Sequence, residues 1–70
     1  MNSLEMKVAM KRHEDTQEKL AKALGLKISG VSARINGKLD FRASEIEKIR
    51  DRYNLSNDEL VQIFFTSHAS

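Results

Sequence analysis

Between residues 3 and 13 the apolar positions fall on two stripes. At about 100° per residue, Met6, Ala9, Met10 and His13 share one helical face, and Leu4 and Val8 lie on nearly the opposite one. Nothing in this stretch breaks a helix, so the pattern predicts one running from Ser3 as N-cap to about His13. A short chain turns only one such stripe to its core, which leaves Leu4 and Val8 as candidates for contact with another protein. Thr16 reads as the N-cap of a second helix, with Glu18 favoured in its first turn, Leu20, Ala21 and Leu24 as the apolar stripe and Gly25 as the stop. Leu26 carries the chain inward. A third helix starts near Ile28, has Val31 and Ile35 on one face, and closes at Asn36 and Gly37.

After Phe41, the spacing of Ile46, Ile49 and Tyr53 predicts a fourth helix from about Ala43 to Tyr53. Ser56 and Glu59 form a capping box, with Leu55 placed to staple onto Leu60. A fifth helix therefore begins at Asn57 and carries Leu60, Ile63 and Phe64 inward. Phe65, next to Phe64, cannot point the same way on a helix. Residues 66–70 read as a frayed polar tail. The reading is an all-α chain of one domain spanning residues 1–70, with five helices and no internal repeat.

One stretch carries more than periodicity. Thr16-Gln17-x-x-Leu20-Ala21-x-x-Leu24-Gly25-Leu26, followed by Val31, has the spacing of a helix-turn-helix over about residues 16–36. Ala21 is small where two helices cross closely, Gly25 supplies the turn, and Leu20, Leu24, Leu26 and Val31 fill the angle between them.

With these residues the sequence resembles the Cro and phage-repressor (XRE-like) class of helix-turn-helix proteins over roughly residues 3–65. The run Ser32-Ala33-Arg34-Ile35-Asn36-Gly37-Lys38, with Phe41 and Ser44-Glu45-Ile46-Glu47-Lys48-Ile49, is similar to the small Cro-like regulators of Gram-positive bacteria and their phages. The resemblance implies a compact five-helix, lambda-repressor-like domain that binds double-stranded operator DNA as a dimer, with its third helix in the major groove. It also implies roles. Gln17 contacts a phosphate at the start of the second helix, Lys27, Ile28, Ser29, Ser32 and Ala33 form the base-reading side, and Asn36, Lys38 and Arg42 lie in a loop whose backbone and side-chain donors hold phosphates. Serine hydroxyls pair with several base edges, Ile28 and Ala33 suit a thymine methyl, and the cations add salt-dependent affinity. Asn36 also has a structural reading, because Asn-Gly suits a helix C-terminus.

The chain departs from the pattern in three places. Arg34 stands where an apolar residue is usual, so Ile35 is expected to anchor the helix while Arg34 projects outward as a further cation at the DNA face. Gly30 lies inside the recognition helix and costs it about 1 kcal/mol relative to alanine. His13-Glu14-Asp15 replaces an uncharged, glycine-containing turn and sets two acids near that face. His13 reads as a half-buried helix-end residue favourable to the helix dipole. The base-reading set also lacks the Gln, Asn or Arg that would make bidentate contacts.

Charge refines this picture. The net charge is +2, but residues 16–40 carry +3 and residues 56–70 carry −2, so positive charge gathers on the helix-turn-helix. At 70 residues without cysteine or proline, the chain has no disulfide framework and no thiolate metal site. With two histidines and no arranged nucleophile, no metal, cofactor or enzymatic activity is expected. No run approaches the ~18 apolar residues of a membrane span, and no signal-peptide segment is evident, so the expected location is the cytoplasm of a bacterial host.

Two functions follow. The first is a DNA-binding transcriptional regulator, a Cro-like repressor of a phage or prophage switch, forming a homodimer through the last helix with Ile63 and Phe65 in the interface. The second is a protein-binding module on the same fold, an anti-repressor or modulator docking on a partner repressor through Leu4 and Val8.

Overall fold

The computed structural model describes residues 1–65; the expected polar tail of residues 66–70 lies outside them. All regular structure among the described residues is helical: α1 (Ser3–Arg12), α2 (Gln17–Leu24), α3 (Ile28–Ile35), α4 (Ala43–Tyr53) and α5 (Asn57–Phe64).

Local chemistry sets most of the boundaries. The Thr16 hydroxyl accepts from the Lys19 amide at 3.1 Å and starts α2. Gly25, at φ +70°, ends it in the left-handed region, where an L side chain is strained. The Ser56–Glu59 capping box is complete, with bonds of 3.2 Å and 2.9 Å. At α1 the cap differs from expectation. Asn2, not Ser3, is the N-cap, its Oδ1 accepting from the Glu5 amide at 3.1 Å. The Ser3 hydroxyl instead donates across the fold to the Ile35 carbonyl.

One core joins all five helices. Met6, Leu20, Val31, Ile35 and Ile49 are wholly buried, and Phe41, from the link before α4, meets Phe64 of α5 edge to face with ring centroids 5.9 Å apart. Each fully buried aliphatic side chain contributes about 1.5–3 kcal/mol over its exposed state. α2 packs on α3 and α4, and α1 packs on α3 and α5. The Asn2 amide donates to the Ile63 carbonyl at 2.7 Å and joins the start of α1 to the end of α5.

The turn between α1 and α2 is held by side chains. Glu14 takes φ +52°, the conformation a glycine would otherwise supply. Asp15 reaches the end of α4, accepting from Arg52 at 2.8 and 2.9 Å and from the Tyr53 hydroxyl. His13, the C-cap residue of α1, is exposed rather than half-buried and stacks on Tyr53 at 4.9 Å.

Candidate nucleic-acid interface

In the bihelical unit α2–turn–α3, the Leu26 amide donates to the Ala21 carbonyl at 2.9 Å and the Gly25 amide to Lys22 at 3.3 Å, which caps α2 and turns the chain into α3. Ala21 is buried at the crossing, and Val31 and Ile35 turn toward the core. The other side of α3 presents Ile28, 50% exposed, and exposed Ser29, with Ser32 and Ala33 half-buried beside them. Lys27 is exposed at the N-cap, and Gln17, the first residue of α2, is half-buried. Ile28, Ser29, Ser32 and Ala33 thus share the side of α3 turned away from the core, with Lys27 exposed just before it.

The loop after α3 is less open than expected. The amides of Asn36, Gly37, Lys38 and Leu39 all donate back to carbonyls of α3, and the Arg42 amide donates to Glu45 Oε1 at 2.9 Å. These five backbone donors are therefore taken. Lys38 and Arg42 are exposed and have no ion-pair partner among the described residues. The exposed Asn36 amide donates to Ser32 Oγ at 3.3 Å and orients that hydroxyl.

Arg34 does not project outward. Its side chain is 10% exposed, with Nε 3.1 Å from Glu45 Oε1 and Nη1 donating to the Gly30 carbonyl at 3.0 Å. On α3 it lies only about 60° from Val31, so it turns inward, and Glu45 supplies the counter-charge burial demands. No buried side-chain nitrogen or oxygen among the described residues lacks a partner. Glu45, 6% exposed, is the residue sequence reasoning missed. It accepts the Arg42 amide as the second half of a capping box would, but no Ser or Thr at position 42 marks the pattern.

The acids near this face also read differently. The Asp15 side chain is 3% exposed and bound to Arg52. The Arg52 guanidinium, helped by the Tyr53 hydroxyl and the Thr16 amide and opposed by burial, lowers its carboxyl to about 2. Burial first, then Asp15, pushes the Tyr53 hydroxyl upward. Glu14 stays exposed.

On the far side, Leu4 is 69% and Val8 41% exposed, and a groove between α1 and α5 is lined by Val8, Ala9, Arg12, Leu55, Glu59 and Ile63 among others. Ile63 is 4% exposed and belongs to the core, whereas Phe65 is 60% exposed. The two differ because Ile63 shares the inward face with Leu60 and Phe64.

A Helix-turn-helix family model matches residues 6–60, which span α1 to the first half of α5. The chain belongs to the XRE-like helix-turn-helix family. Family membership makes this XRE-like protein a DNA-binding transcription regulator, and the family is a regulatory rather than a catalytic one. No curated protein and no solved structure matches the chain. No described helix of this XRE-like protein is long and apolar enough to cross a membrane, and no described cluster of His, Cys, Asp or Glu suits a metal ion.

Proposed function

We propose that the protein is a sequence-specific, Cro-like repressor of a phage or prophage switch, which occupies operator DNA as a homodimer and blocks polymerase where operator and promoter overlap. The observation that carries this reading is the outward face of α3, where Ile28, Ser29, Ser32 and Ala33 lie together, bordered by exposed Lys27 with exposed Lys38 and Arg42 in the segment that follows. Serine hydroxyls and small apolar groups read base edges there, Lys27, Lys38, Arg42 and Gln17 hold phosphates, and Asn36 orients Ser32. The burial of Asp15 against Arg52 supports the same reading, because it takes one acid away from a surface that meets an anion.

Exposed Phe65 at the end of α5 is the side chain we assign to self-association. The second reading, docking on a partner repressor, is favoured by the exposure of Leu4 and Val8. A gel shift on the DNA flanking the protein's own gene, run beside a pull-down with purified protein, separates the two. Retardation at low salt supports the repressor. Folded protein that shifts no such DNA but retains a repressor through Leu4 and Val8 overturns it.

A further inference from the structure

Gly30, Arg34 and Glu45 form a single device. The Arg34 guanidinium crosses the face of Gly30 closely enough that a Cβ there would meet Nη1 at 3.3 Å. Nη1 donates to the Gly30 carbonyl one turn earlier in the same helix, and Nε donates to Glu45. The same Glu45 oxygen accepts the Arg42 amide. One carboxylate oxygen therefore both caps the first turn of α4 and accepts the single bond that joins it to Arg34 in the last turn of α3, with the two side chains nearly closed to water.

We infer that Arg34 and Glu45 are positioning residues for DNA reading, fixing the seat of α3 against the start of α4 so that Ser29, Ser32 and Ala33 meet base edges while Arg42 meets a phosphate. The inference rests on the DNA-binding reading above. Charge geometry supports a positioning role over simple stabilisation. A buried ion pair gives little net stability over an apolar pair of similar volume, but it tolerates few geometries. Ser29, Ser32 and Arg42 sit on the two elements the pair joins, so rotation of α3 against α4 separates base contacts from phosphate contacts. Gly30 then has a cause: its missing side chain makes room for the guanidinium.

The test compares wild type with Arg34→Met, Glu45→Gln and the pair Arg34→Met/Glu45→Met, the last retaining an apolar filling should either single variant fail to fold. Each is measured against a duplex selected by the wild-type protein from a library with a randomised centre, and against the unselected library. Amide hydrogen exchange along α3 is followed in the DNA-free protein. The expected result is folded variants whose preference for the selected duplex falls about tenfold, the scale of a mismatched base pair. Affinity for the unselected library and its salt dependence stay near wild type, and α3 amides exchange faster. Folded variants that keep both the wild-type preference and the wild-type exchange overturn the inference. A wild-type protein that selects no duplex defeats the DNA-reading assignment instead, and unchanged exchange in the variants would then defeat the clamp separately.

Discussion

Replacing Asp15 with asparagine should destabilise the protein at neutral pH and barely affect it in strong acid. The folded carboxyl titrates at about 2 against 3.8 for an unstrained aspartate. At ~1.36 kcal/mol per unit, that difference is worth at most about 2.5 kcal/mol. The Arg52 side chain is 35% exposed, so solvent screening reduces the figure to about 1–2 kcal/mol. In a domain of this size that corresponds to a melting temperature lower by roughly 5–15 °C. Because the folded carboxyl binds its proton more weakly than the unfolded one, the stabilisation is fully present above about pH 4 and disappears as pH falls toward 2. Thermal and urea melts of both proteins over that range, read as the difference between them, cancel the titration of the other carboxylates. Equal stability at neutral pH, or a gap that stays constant down to about pH 2, would refute the assignment of Asp15 to Arg52 and Tyr53.

Lys38→Ala combined with Arg42→Ala should weaken binding to every duplex and reduce the slope of log affinity against log salt by about 2 per bound protomer; an unchanged slope removes both from phosphate contact. Leu20→Ala, at a site with no exposure, should cost about 2–5 kcal/mol in urea unfolding. Gly25→Ala should cost about 1 kcal/mol through backbone strain at φ +70° alone, since a Cβ there meets nothing within 4 Å, and a thermal melt equal to wild type would contradict that cause.

Features written into neighbouring residues were legible from the chain. The Thr16 cap, the Gly25 stop, the Ser56–Glu59 box and the separation of Phe64 from Phe65 each depend on groups a few positions apart. The misreadings concern partners far along the chain. Asp15 finds Arg52 in another helix, and Arg34 finds Glu45 across a loop, so both charges read as solvent-facing until the fold supplies their counter-ions. Asn2 and Ser3 are equally good N-caps by type, and only the distant Ile35 carbonyl decides which one is free to cap. Of the candidate site, periodicity gave the inward Val31 and Ile35 of α3, and the resemblance to helix-turn-helix proteins named the residues of its outward side. The closed loop amides were not legible, because sequence does not say where a turn spends its donors.

The fastening of the first residues also bears on how the protein tolerates being handled. Met1 packs on the core, Asn2 holds the end of α5 and Ser3 holds the last carbonyl of α3. A purification tag or fluorophore fused ahead of Met1 would act on the residues that hold the end of α5 and the last carbonyl of α3. Fusions at that end should therefore blunt sequence discrimination in reporter and binding assays.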